Sequence, residues 1–159
     1  MIFVTVGTQM AFPRLLQTVS AFAAENPGTR VEAQVGPDAA AYPGIDCTAS
    51  LSIAEMDARM QAAEVVIAHA GMGTILSALS FGTPVVVMPR RAALGEHRNE
   101  HQLATAERLK GLSGLTLAAD EAALRDILKA RAWPQVDAAL ATPPAHMITQ
   151  IADFIHGKA

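Results

Sequence analysis

The chain has 159 residues, 51% of them apolar and only 4% aromatic, with a formal net charge of −3 and a single cysteine. That length suits one domain with a buried core, and the lack of any basic run argues against nucleic acid as a partner. Cys47 cannot form an internal disulfide, which fits a reducing compartment; no stretch reaches the roughly 18 apolar residues needed to cross a bilayer, and the opening MIFVTVG reads as a strand with no signal-peptide pattern.

Residues 2–6, IFVTV, read as a buried strand ending at Gly7. A helix follows over 12–24, with Phe12, Leu15, Leu16, Val19 and Phe22 on one side. The turn NPG leads to a second strand over 30–36, and a short strand is expected around 45–51. Ser52, with Glu55 three residues on, has the spacing of a capping box and predicts a helix over 53–63. The strand 64–68 and the helix 74–81 flank a glycine-rich junction, and Gly82 with Pro84 ends that helix. PVVVMP, 84–89, is another buried strand, followed by the loop RRAALGEHR and a helix over about 99–110. GLTLA is a weak strand, 120–131 a helix, and MITQIADFI a last helix at about 146–156. Short apolar strands alternating with helices predict one doubly wound, Rossmann-like parallel α/β domain over residues 1–159. In such sheets ligands sit at the carboxyl ends of the strands.

The junction His69-Ala70-Gly71-Met72-Gly73-Thr74 carries the clearest chemistry. A helix N-terminus offers unpaired backbone N–H groups and a partial positive charge, and anions bind there when the backbone can be approached. Gly71 and Gly73 remove β-carbons from that approach, Thr74 adds a hydroxyl, and His69 can add a ring N–H. The bland alternative is a tight turn with His69 as a satisfied core histidine. A second glycine-bearing strand end, Gly7-Thr8-Gln9, favours the anion site. The G-x-G-x-x-G fingerprint of dinucleotide sites is missing after the first strand, the second strand has no acidic end, and no P-loop lysine motif occurs.

Residues 96–102, EHRNEHQ, form a second polar cluster. His97-x-x-Glu100-His101 matches an inverted zinc-protease pattern, in which both histidines would share a helix face. Asn99 reads as an N-cap, which would leave His97 outside the helix. A solvated helix start is the bland reading. The third is a polar cluster facing the cleft, with Asn99, His101 and Gln102 suited to sugar hydroxyls and Arg90 or Arg91 balancing phosphate charge.

The stretches HAGMGTILSALSFGTPVVVMPR and EHRNEHQ, in this order, resemble the C-terminal domain of glycosyltransferase family 28, the nucleotide-sugar-binding half of GT-B enzymes. IFVTVGTQMAFPRL resembles the family's small stand-alone members, which are subunits of two-subunit UDP-sugar transferases acting on dolichol-linked or bacterial exopolysaccharide substrates. The resemblance implies a UDP-sugar donor, inverting transfer and no cofactor or metal. By position it places Thr8, Gln9, His69, Gly71, Gly73 and Thr74 on the diphosphate. Asn99, His101 and Gln102 fall on the donor sugar, and Ser52, Ile53 and Met56 near the uracil. Ser77 stands where the family usually has a ribose-binding Glu. The catalytic base is expected on a membrane-anchored partner that binds a lipid-linked saccharide acceptor, which would hold this chain at the cytoplasmic face of the membrane. The resemblance thus implies the donor-binding subunit of a transferase for exopolysaccharide. A non-catalytic nucleotide-sugar-binding or regulatory subunit and a zinc hydrolase are the alternatives. Met147, Ile148, Ile151, Phe154 and Ile155 form one helical stripe, read either as core or as the partner's docking face, with self-association expected of the isolated chain.

Overall fold

Every residue of the first strand, β1 (Ile2–Thr5), is buried, as expected of a strand covered by helices on both faces. The computed structural model describes residues 1–38 and 40–137, so the expected helix at 146–156 and its docking stripe lie outside the described residues. After β1 come α1 (Pro13–Glu25), β2 (Val31–Gln34), β3 (Asp46–Thr48) and α2 (Ile53–Ala62). The second half runs β4 (Val65–Ala68), α3 (Met72–Ser80), β5 (Val85–Val87), α4 (His101–Leu109), β6 (Leu115–Leu117) and α5 (Glu121–Ala130), with a 3-10 turn at Ala92–Leu94.

The six strands form one sheet in the order β3-β2-β1-β4-β5-β6, and every pair is parallel. Alternate residues serve opposite faces. Ile2, Val4, Val65, Ile67 and Val86 pack with Phe12, Leu15, Leu16 and Val19 of the α1 region and with Leu124 and Leu128 of α5. Phe3, Val66, Ala68, Val85 and Val87 pack on the other face with Met60, Ile75, Leu79 and Ala106. The chain leaves β1 in both directions of the sheet, first toward β2 and then back to β4. The carboxyl ends of β1 and β4 are therefore the switch point at which ligand crevices form.

Several boundaries differ from the periodicity reading. α3 begins at Met72, not Thr74, so Gly71 is its N-cap and Gly73 lies in its first turn. Glycine costs a helix about 1 kcal/mol, whereas burying side chains such as Ile75 and Leu79 stabilises by about 1.5–3 kcal/mol each, so packing wins. β2 stops at Gln34, and Gly36, at φ +64°, turns the chain out of the sheet. α4 begins at His101 with Glu100, not Asn99, as its N-cap. The Glu100 side chain accepts the Ala93 N–H at 3.3 Å, while Asn99 Oδ1 accepts the His101 N–H at 3.2 Å from one residue further out. The capping box at α2 forms as expected, with Ser52 and Glu55 bonded reciprocally.

Candidate functional site

A cleft of about 560 Å³ opens over the carboxyl ends of β1 and β4. Thr5 to Met10 form one wall, and Gly71, Gly73 and Thr74 at the start of α3 form another. Met56, His69, Arg90, His97 and Gln102 complete it. All six residues expected on the diphosphate thus lie around one cavity. Gly71 cannot cap α3 with a side chain, and no side-chain cap bond is made there. The first-turn N–H groups and the positive end of the helix dipole are left for a ligand.

The glycines of this cleft do different jobs. A β-carbon on Gly71 would lie 2.4 Å from His69 Nε2, and one on Gly7 2.8 Å from His69 Cε1. Both glycines make room for the imidazole, which is held between the two loops. Gly7 also sits at φ +79°, a conformation that glycine adopts without strain. A β-carbon on Gly73, in contrast, meets nothing within 4 Å among the described residues beyond its own helix turn. Of the two junction glycines, only Gly73 is left bare toward open space.

Burial, helped by the neighbouring charges of Arg90 and His97, pushes the His69 pKa down to about 4. The Thr5 carbonyl, close to the ring, favours the protonated form but is outweighed. His69 Nδ1 is buried and, among the described residues, makes no hydrogen bond of normal geometry. The ring is neutral near pH 7 and carries one N–H, so donation to a ligand requires that proton on Nε2.

The β1 loop is fixed from below by a residue that the sequence reading passed over. Gln34, fully buried at the end of β2, accepts the Thr5 hydroxyl at 2.7 Å and donates to the carbonyls of Gly7 and Ala49, each at 3.1 Å. Its signal in the sequence was an amide set between Ala33 and Val35 where the second strand ends. Glu96 is a second such residue. It takes a two-point salt bridge from Arg14, at 2.6 and 2.8 Å, and the Arg91 N–H at 2.9 Å. Burial raises the Glu96 carboxyl, but the Arg14 bonds and the neighbouring cations outweigh it, and its pKa falls below the usual carboxylate value.

Several expected roles are not supported by these positions. Arg90 borders the cleft, yet its guanidinium is occupied by backbone carbonyls and is not free to pair with phosphate. Gln102 is buried, and its Oε1 accepts the Ala70 and Arg90 N–H groups at 3.2 and 3.1 Å. Only its amide nitrogen remains to meet a ligand. Asn99 and His101 are exposed and outside the cleft lining, whereas His97 is part of it. The zinc pattern fails on geometry. His97 precedes α4 and lies against Asn99, so it shares no helix face with His101. Among the described residues no group of three or more His, Cys, Asp or Glu side chains is placed to hold a metal. In the segment expected near uracil, Met56 lines the cleft, Ser52 is engaged in its cap and Ile53 is 83% exposed. Ser77 is one turn along α3 from Thr74 and outside the lining. Met10 is a lining residue without a sequence signal.

A parallel six-stranded sheet with an anion-ready helix N-terminus at its switch point defines a Rossmann-like α/β domain, matching the C-terminal half of GT-B glycosyltransferases. Residues 1–130 match the glycosyltransferase family 28 C-terminal domain, and the chain belongs to that family. The chain is similar to the glycotransferase of kitacinnamycin, at 24% identity and a TM-score of 0.62 over 88% of this chain and 36% of that one. It is similar to SsfS6 of Streptomyces sp. SF2575, solved with thymidine diphosphate, at 27% identity and a TM-score of 0.55 over 88% and 33%. Against the solution structure of ALG13 the identity is 20% and the TM-score 0.60, covering 82% of this chain and 84% of that one. The chain thus spans about a third of the two larger enzymes and most of ALG13. The sequence has no match among curated proteins. No helix among the described residues is long and apolar enough to cross a membrane.

Proposed function

We propose that the chain binds a UDP-sugar in the β1/β4 cleft and serves as the donor-binding subunit of an inverting glycosyltransferase. Its partner is a membrane-anchored subunit that supplies the acceptor site and general base, and the acceptor is a lipid-linked saccharide of exopolysaccharide synthesis. The observation that carries the reading is the uncapped N-terminus of α3, facing the Gly7–Met10 loop across one cleft. That arrangement suits a diphosphate, the group named for the SsfS6 complex. As the sugar bond breaks, negative charge develops on the departing diphosphate. Fixed N–H groups at Gly73 and Thr74, with the Thr74 hydroxyl, would stabilise it without reorganising. Gln102 would present its amide N–H₂ to an acceptor atom on the diphosphate or sugar.

A non-catalytic nucleotide-sugar-binding subunit is the second reading, favoured by Ser77 in place of the family's ribose-binding Glu. The test is calorimetric titration of the isolated chain with UDP, followed by UDP-sugar turnover after reconstitution with a co-purifying membrane subunit. Binding with turnover supports the transferase, binding without turnover the second reading, and no UDP binding rejects both.

A further inference from the structure

Arg90 follows β5 and is 2% exposed, yet among the described residues its guanidinium pairs with no carboxylate. Instead one terminal nitrogen donates to the carbonyls of Val6 at 2.8 Å and Met10 at 2.6 Å. The other donates to the carbonyls of Ala11 and, at 3.3 Å, Glu96. The guanidinium also lies over the Phe12 ring, 4.5 Å from its centroid. Three of the four carbonyls belong to the loop that carries Thr8 and Gln9. The fourth immediately precedes His97, another lining residue of the same cleft. The Arg90 backbone is itself fixed, because its N–H is bound by Gln102.

We propose that Arg90 is the positioning residue of the cleft: it holds the Val6–Ala11 loop and the Glu96–His97 loop in one arrangement that accepts an anion. Two physical points support it. Four carbonyl oxygens turned toward one buried centre would repel one another and stay unpaired without a cation that donates in several directions. A guanidinium does so through a fixed planar fork, whereas an ammonium has three donors on a point charge and cannot match four carbonyls. A nearby anion also gains from the Arg90 charge at a distance, but the loop geometry depends on the shape of the group and not on its charge alone.

The ligand readout of this proposal rests on the nucleotide reading, so the test carries a second readout that does not. In the full chain, Arg90→Lys keeps the charge and loses the fork. It is expected to weaken UDP binding about tenfold or more. Amide exchange at Val6 and Gly7, whose N–H groups bond to the Gln34 carbonyl and the Thr5 hydroxyl, should quicken by about tenfold, while β1 and β5 amides keep their protection, as local opening requires. In a folded Arg90→Ala variant, millimolar guanidinium ion should restore both readouts in part. Arg90→Lys with unchanged loop exchange, or with UDP affinity within about twofold of the parent, overturns the proposal. So does exchange that rises equally in the strands, or a folded Arg90→Ala that guanidinium does not rescue. If the exchange results hold but the parent chain binds no UDP, the positioning role stands and the nucleotide reading fails.

Discussion

Gly71 and Gly73 are two residues apart in one motif, and the structure predicts opposite outcomes for adding a side chain to each. A β-carbon at Gly71 would fall 2.4 Å from His69 Nε2, well inside contact distance. The ring is closed in on its other side by Gly7, so it has little room to retreat. Overpacking of this kind costs about 1–3 kcal/mol, and Gly71→Ala should lower the melting temperature by roughly 3–9 °C for a domain of this size. At Gly73 nothing among the described residues outside its own helix turn stands within 4 Å of an added β-carbon. Val is a better helix former than Gly by a few tenths of a kcal/mol, so Gly73→Val should melt within about 2 °C of the parent. If a diphosphate approaches that turn, the new side chain obstructs it, and UDP affinity should fall about tenfold or more, roughly 1.4 kcal/mol. Thermal denaturation and calorimetric titration with UDP check the two effects separately. A folded Gly73→Val that binds UDP like the parent would refute the site, and an unshifted melting temperature for Gly71→Ala would refute the account of His69 packing.

Two further outcomes follow from the same contacts. Gln102→Ala leaves the Ala70 and Arg90 N–H groups without their shared acceptor, at about 1–3 kcal/mol each, so it should destabilise the chain and weaken UDP as well as UDP-sugar. Gln102→Glu keeps the acceptor but turns a second carboxylate oxygen toward the cleft, so it should stay close to the parent in melting temperature and lose anion affinity; better UDP binding by Gln102→Glu would reject the orientation. His69 has a folded pKa of about 4 against 6.5 for the ordinary ring. The unfolded chain therefore binds a proton first as pH falls, and stability that is full above pH 6.5 should decline by up to about 3 kcal/mol toward pH 4. Urea midpoints of the parent and of His69→Gln between pH 7.5 and 4.5 should show a shallower fall for the variant, and parallel curves would reject the buried neutral ring.

The sequence by itself determined the α/β alternation, the parallel sheet and the strand ends around which the cleft opens, because these rest on local signals. Unbroken apolar runs such as Val65–Ala68 imply burial on both faces, and glycines at a strand-to-helix junction imply an open helix N-terminus. The Ser52–Glu55 box and the Gly82 stop were legible for the same reason: each is formed by neighbours in the chain. Local signals could not decide what a residue does with its side chain once distant segments meet it. Arg90 read as a phosphate partner until the fold brought the carbonyls of Val6, Met10 and Ala11, about 80 positions away, onto its guanidinium. Gln102 read as a sugar ligand until β4 and β5 ended side by side and presented two N–H groups to its oxygen. Gly71 read as bare for a ligand, and tertiary packing gave that space to His69. For Arg90 and Gln102 the competing partner is backbone from another element, and the register of the strands brings it within hydrogen-bond distance; at Gly71 it is the ring two residues back, turned in beside the Gly7 loop.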